Sequence, residues 1–341
     1  MSHSVRSSKV PVLVTGGAGY IGSHTTKVLA HAGFQPVVLD DLSTGHRWAV
    51  RWGPLIEADL GDRAALSTVL KDYGIQAVVH FAARACVGDS FRDPRGYYRN
   101  NVLATLNLLD VMLDAGVNVI VFSSSCAVYG LPEVIPIPES HPQRPVSPYG
   151  ETKLAVERAL HWYSQAYGLR WLALRYFNAA GADPDGELGE VHVPETHLIP
   201  RAILAALGRA APLEIYGTDY PTPDGTAVRD YIHVADLAEA HVLGLQYLLA
   251  GGESAALNLG TGRGYSVREV LAAVERISGR CVPVRQGPRR PGDPPALIAD
   301  ARRARELLGW RPSRSDLTTI IETAWLWYRS RQPFGVDGNQ E

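Results

Sequence analysis

Val12 to Gly33 reads VLVTGGAGYIGSHTTKVLAHAG, and this stretch decides the fold. Gly17, Gly19 and Gly22 form a G-x-G-x-x-G directly after a short apolar run, and they open a segment of helical character. Gly16 adds the related G-x-x-G-x-x-G spacing. Glycines let the backbone turn tightly and approach a pyrophosphate, which then rests on the helix N-terminus. A bare glycine pattern also fits a plain turn, but strand-turn-helix context favours a dinucleotide. Asp40 ends the next apolar run, where a carboxylate takes the adenosine ribose hydroxyls. Its charge repels a 2′-phosphate, which favours NAD over NADP.

Outward from there, VPVLVTG, QPVVLDD, PLIEADL, AVVHFAA, NVIVFSSS and RWLALRYFN recur with mostly helix-length segments between them. Near-continuous Val/Ile/Leu strands alternating with helices predict a parallel sheet covered on both faces. The fold class is therefore α/β, a Rossmann-type doubly wound sheet, with ligands at the carboxyl ends of the strands. After Asn178 long loops rich in Gly, Pro and Asp take over. Such loops in a compact chain read as ligand-facing. Residues 1–180 are expected to form the NAD-binding domain, with a chain return around 233–260. A smaller α/β substrate domain is expected over 181–341, mainly 181–232 and 261–330. In it VADLAEAHVLGLQYLLAG and SVREVLAAVERISG read as helices, the second capped by Ser266, and AALNLGTG as a strand.

Of 341 residues, 46% are hydrophobic and 20% charged, the balance of a soluble globular chain. A net charge of −2 gives no footprint for nucleic acid or an anionic membrane. Cys86, Cys126 and Cys281 are too few and scattered for a disulfide framework, so a reducing cytoplasm is expected. The polar opening MSHSVRSSKV reads as a flexible lead, and no apolar run approaches a membrane span.

SPYGETK, Ser147 to Lys153, places a helix-capping Ser and an N1 Pro before Tyr149 and Lys153, which stand one helical turn apart on one face. A tyrosine with a pKa of about 10 is a poor base at neutral pH. A neighbouring lysine, a helix N-terminus and a cationic nicotinamide each favour the phenolate. VFSSSCAVYG supplies a strand-end serine beside them. Such a set next to NAD can remove a proton from a substrate hydroxyl while hydride leaves its carbon. His192 and His197 stand five apart with no third ligand evident, so no metal site is expected. His80 reads as a satisfied strand-end residue and Cys126 as packing.

Together the glycine motif, Asp40, the triple serine and Tyr-x-x-x-Lys resemble the extended short-chain dehydrogenase/reductase superfamily. RYFNAAGADPDGELGE, PETHLIP, YGTDYPTPDGTAVRDYIHVADLA and RRPGDPPALIAD narrow the resemblance to the UDP-glucose 4-epimerase family, from about Val10 to about residue 330. The resemblance implies NAD as cofactor, a UDP-sugar as substrate, and reversible inversion at C4 through a 4-keto sugar. It implies that Ser125 bonds the sugar 4-oxygen, that Tyr149 is the base, and that Lys153 binds the nicotinamide ribose. Gly16, Gly19, Tyr20, Ile21, Gly22, Asp40, Asp59, Leu60, Phe81, Ala82, Asn100, Ser123 and Tyr176 fall on cofactor positions, alongside Tyr149 and Lys153. Asn178, His197, Leu198, Tyr216, Arg229, Val267, Arg290 and Asp293 fall on UDP-sugar positions, with Arg229 and Arg290 on the diphosphate.

Three positions depart from the family pattern. Ala127 replaces a threonine near the substrate. Ala85 replaces a lysine on the cofactor phosphates, with Arg84 next door. Leu297 replaces a bulky tyrosine beside the sugar's C2, which opens room for an N-acetyl group. Another UDP-sugar (UDP-N-acetylglucosamine, UDP-xylose/arabinose or UDP-glucuronate) remains an alternative, as does a non-catalytic NAD sensor. A 4,6-dehydratase fits less well, because SSCAVYG lacks that branch's Asp-Glu pair. The resemblance also implies a homodimer through helices after FRDP and SPYG.

Overall fold

The structure, a computed structural model, describes residues 9–290 and 292–331. Residues 1–8 of the expected lead and the last ten positions of the expected second domain lie outside the described residues. Seven strands form one sheet: β1 (Pro11–Thr15), β2 (Gln35–Asp40), β3 (Leu55–Glu57), β4 (Ala77–His80), β5 (Val119–Ser125), β6 (Arg170–Tyr176) and β7 (Ala255–Leu259). Their spatial order is β7-β6-β5-β4-β1-β2-β3. Every pairing within it is parallel. All six runs foreseen in the front half are strands of this sheet, and Ala255–Leu259, read as a strand in AALNLGTG, is the seventh.

Alternate residues of each strand enter opposite cores, as the period of two requires. Val12, Val14, Val119, Val121, Leu172 and Leu174 face one apolar cluster. Leu13, Ile120 and Ala173 face the other. Helices α1 (Tyr20–His31) and α3 (Val234–Leu249) cover the first face. Helix α2 (Pro148–Tyr167) and the Ala104–Asp114 helix cover the second. The strand order reverses beside β1, and the crevice above the carboxyl ends of β1 and β4 is the ligand position of such sheets.

A separate apolar cluster joins helices Leu198–Ala206, Val267–Ser278 and Leu317–Ser330 to short strands of the second half. Leu213–Tyr216 pairs with Val284–Gly287, and Val228–Arg229 lies between Tyr265–Ser266 and Ala296–Leu297. The Val267–Ser278 helix carries the foreseen Ser266 cap as a full capping box with Glu269. One segment goes the other way. Ala301, Ala304, Leu308 and Trp310 pack into the sheet's core, and the Trp310 indole donates to the Asp236 carbonyl at 2.9 Å. The apolar spacing of 301–310 is compatible with either core, so its side could not be read from pattern.

Candidate active site

The glycine turn is built by exclusion of side chains. Gly16 has φ +70°, and a Cβ there would lie 2.5 Å from the Ala82 nitrogen after β4. A Cβ on Gly22 would lie 2.2 Å from the Gly16 carbonyl oxygen, so α1 closes directly onto the turn. Gly19 is different: a Cβ would meet only that same oxygen, at 3.3 Å, among the described residues. Gly19 caps α1 without any side-chain hydrogen bond. The first-turn amides of Tyr20, Ile21 and Gly22 are thus left for an anion.

At the end of β2, Asp40 accepts from the amides of Ala18 and Leu42, both at 2.9 Å. Burial raises its pKa, and those two amides pull it back. The turn, the uncapped helix end and this carboxylate together fit the pyrophosphate and ribose of NAD.

Other expected cofactor residues are placed unevenly. The Tyr20 hydroxyl donates to the Gly181 carbonyl at 2.7 Å, which leaves only its backbone for phosphate. Asp59 and Asn100 line a cavity of about 500 Å³, and Arg84 lines it too, paired with Asp93 at 3.0 Å. Arg84 therefore supplies a cation where Ala85 does not. Leu60 is buried, and the Phe81 ring packs at a tilt against the His241 ring, centroids 4.6 Å apart. The Tyr176 hydroxyl bonds Ser123 Oγ.

Helix α2 starts as its sequence dictates: Ser147 Oγ accepts from the Gly150 amide and Pro148 takes the first position. This brings Tyr149 and Lys153 under the carboxyl end of β5. Lys153 Nζ donates to the Ser123 carbonyl at 2.8 Å and lies 5.8 Å from the Tyr149 ring centroid. Burial pushes the Tyr149 phenol up to about 12, with the Ser125 hydroxyl bond opposing, so the phenolate expected from the neighbouring lysine is not favoured by the protein alone. Burial lowers the Lys153 ammonium to about 7, and Glu157 works against that. Ser125 Oγ also accepts from the Ala127 amide at 3.2 Å.

Arg229 leaves the middle of the three-stranded sheet and pairs with Asp293. Its charge is felt by the Cys126 thiol, next to Ser125, although burial dominates there and pushes that thiol up to about 12. The cation thus lies near the strand-end serine. Leu297 packs against the apolar cluster that holds Cys126, Leu154 and Phe177, one strand from Arg229. Arg290 is exposed and lies over the Tyr216 ring at 4.0 Å. Asn178 and Val267 are held by backbone bonds to Asp230 and Ala227. His197 and Leu198 begin the Leu198–Ala206 helix, and His197 turns to Glu190 and Glu195 instead of to the arginines.

Several residues were missed. Glu157 accepts from Ser124 Oγ at 2.5 Å and pairs with buried Arg175 behind β5. Its signal was present, since Glu157 continues the Tyr149, Lys153 face by one more turn. Asn101 bonds the Arg84 backbone and Thr152 Oγ1, joining the cavity wall to α2. Asp230 accepts from Thr261, Gly262 and Ala299, which fixes the strands around Arg229. The histidine pair also needs correction: the loop folds so that Glu190 and Glu195 stand beside both rings. His80 is satisfied as expected, between Thr15 and Thr105.

Residues 12–260 match the NAD dependent epimerase/dehydratase family. The chain is 55% identical over 317 residues to a UDP-glucose 4-epimerase of Rhizobium leguminosarum bv. trifolii, covering 93% of this chain and 97% of that one. It is 53% identical over 324 residues to a UDP-glucose 4-epimerase of Rhizobium meliloti, covering 95% and 98%. Its fold is similar to the crystal structure of a Brucella ovis UDP-glucose 4-epimerase in complex with NAD: TM-score 0.91, 57% identity, 93% and 98% covered.

Proposed function

The chain belongs to the NAD dependent epimerase/dehydratase family, and from that premise we propose that it interconverts UDP-glucose and UDP-galactose by inversion at C4 through a 4-keto sugar. It is an NAD-dependent epimerase. The observation that carries the reading is Lys153 fixed on the end of β5, with Tyr149 one turn away and Ser125 on the same strand.

Gly16, Gly19, Gly22 and the first-turn amides of α1 hold the pyrophosphate, and Asp40 the adenosine ribose. Asp59, Asn100 and Arg84 wall the far end of that site. Bound there, NAD supplies the chemistry of accepting the C4 hydride and giving it back. Tyr149 takes the proton of the sugar's 4-hydroxyl while Ser125 bonds the 4-oxygen. Arg229, with Arg290, Tyr216, Asn178 and Asp293, anchors the nucleotide end. The 4-keto sugar turns about its bond to the diphosphate, and Tyr149 returns the proton on the other face. An anchor built on the nucleotide leaves the sugar free to turn.

Residues 9–180 with 233–260 form the NAD-binding part, joined by the 301–310 segment that packs into the sheet's core, and 181–232 with the rest of 261–330 the UDP-sugar part. Leu297, smaller than the tyrosine that some family members carry there, favours a second reading in which UDP-N-acetylhexosamines are also admitted. Exposed Tyr98, Leu103, Trp162 and Tyr167 lie on the helices after FRDP and SPYG, which supports a homodimer through those helices. No helix among the described residues is long and apolar enough to cross a membrane. A cytoplasmic location fits that and the free cysteines.

The test is incubation of purified protein with UDP-galactose and no added NAD, beside Tyr149→Phe. Formation of UDP-glucose by wild type alone supports the reading. Absence of turnover with NAD supplied, for UDP-galactose and UDP-glucose alike, removes it.

A further inference from the structure

We propose that Glu190, His192, Glu195 and His197 form a site for a divalent transition-metal ion of the zinc class, separate from the epimerase chemistry. Each offers one ligand atom, and these atoms all lie within 4.8 Å of one another. His197 Nδ1 stands 2.8 Å from Glu190 Oε1 and 3.1 Å from Glu195 Oε1. His192 Nδ1 stands 3.2 Å from Glu190 Oε1 and 3.5 Å from Glu195 Oε2. A tetrahedral zinc ion with N and O ligands at about 2.0–2.1 Å keeps its donors about 3.3 Å apart. The carboxylate-imidazole spacings bracket that value before any rearrangement.

A second observation points into the same space. The Glu195 side chain is only 9% exposed, and its Oε2 is buried with no hydrogen-bond partner among the described residues. The buried Nδ1 of His192 is likewise without a hydrogen bond. The two atoms face each other at 3.5 Å, an ion-pair distance too long for a hydrogen bond, and an ion bound between them satisfies both. Two carboxylates neutralise the charge of a divalent ion, and imidazole with carboxylate is a donor set that zinc accepts.

The surroundings hold the ligands in place, as partners of a metal site must. The Glu190 carbonyl accepts from the Tyr328 hydroxyl at 2.7 Å and the Trp327 indole at 3.2 Å. Glu195 Oε1 accepts from the amides of Thr196 and His197, at 2.7 and 2.8 Å. The two rings are 34% and 51% exposed, which leaves an entry path. The nearby acidic group Asp183, Asp185 and Glu187 differs, because the Lys27 ammonium already sits among its carboxylates at 2.7–2.9 Å. His192 also lines a small cavity with Gly19, Tyr20 and Ser23. A bound ion would therefore order the 190–197 loop where it borders the start of α1. Its role is structural.

The competing arrangement is a box of two imidazolium rings paired with two carboxylates. Untagged protein freed of metal by chelator, then titrated with Zn²⁺ or Co²⁺, separates the two. The site predicts one ion per chain by elemental analysis, a tetrahedral Co²⁺ absorption spectrum displaced by Zn²⁺, and a melting temperature raised by Zn²⁺. His192→Ala and Glu195→Gln should each bind at least about 10-fold more weakly. Each variant's melting temperature without metal reports separately on folding. Zn²⁺ binding no stronger than in the double variant, with no tetrahedral spectrum, overturns the site and leaves the ion-pair box. None of these readouts depends on turnover.

Discussion

Lys153 Nζ donates to the Ser123 carbonyl at 2.8 Å, so one hydrogen bond joins the catalytic face of α2 to the strand that ends in Ser125. The lysine is thereby fixed before any ligand arrives. It is also almost fully out of water, and this has a measurable consequence.

Burial takes the Lys153 ammonium from its ordinary 10.5 down to about 7. Between those values the unfolded chain holds a proton that the folded one has released, so this group makes stability rise with pH. Its contribution is fully present above about pH 10.5 and is lost as pH falls toward 7. Lys153→Met leaves the Ser123 carbonyl without its donor but removes the titration. Melting temperatures of NAD-free wild type and Lys153→Met, compared from pH 6.5 to 9.5, should therefore shift in favour of wild type as pH rises. Parallel curves would contradict the buried, neutralised lysine.

Gly19 and Gly22 should fail differently. Gly22→Ala places a methyl 2.2 Å from the Gly16 carbonyl oxygen, so it should cost stability by about 1–3 kcal/mol as well as NAD binding. Gly19→Ala meets only that oxygen, at 3.3 Å, and Gly19 has φ −80°, which alanine adopts freely. It should keep its melting temperature and still lose NAD affinity, because the methyl stands where the pyrophosphate approaches. Calorimetry of unfolding and of NAD binding reads both.

Arg229 and Arg290 differ in burial, and their losses should follow. The Arg229 side chain is 13% exposed and paired with Asp293, whereas Arg290 is exposed over Tyr216. Hydrogen bonds to charged groups are worth about 1.5–3 kcal/mol, or about 10- to 150-fold in affinity. Arg229→Met should weaken UDP binding by that factor, and Arg290→Met by less. Titration calorimetry with UDP that gives the reverse order would sink this assignment.

Leu297 packs against the cluster that holds Cys126 and Phe177, one strand from Arg229. Leu297→Tyr should retain turnover of UDP-galactose and abolish that of UDP-N-acetylgalactosamine. Wild type inactive on the N-acetyl sugar would remove the pocket argument.

The sheet was legible because parallel strands buried on both faces carry a near-continuous apolar signal, clearest in Pro11–Thr15, Gln35–Asp40, Ala77–His80 and Val119–Ser125 and weakest in the half-buried edge strand Leu55–Glu57. Tyr149 and Lys153 were legible for a local reason, namely a capped helix that puts both on one face. Asp230 and Asn101 were not, since each works through partners 17 to 69 residues away, with no mark in its own neighbourhood. The carboxylates beside His192 and His197 were overlooked because the loop folds back on itself without a regular period. Residues 301–310 went to the sheet's core because Trp310 found the Asp236 carbonyl, a long-range choice.

The central claim is that one hydride leaves C4 and returns to it within the same site. UDP-galactose deuterated at C4, converted to equilibrium by the purified protein in ordinary water and analysed by proton NMR, tests it directly. The account predicts that the label stays at C4 of the UDP-glucose formed, and that unlabelled substrate run in D2O gains none there. Loss of the label to water, or solvent deuterium appearing at C4, would contradict it.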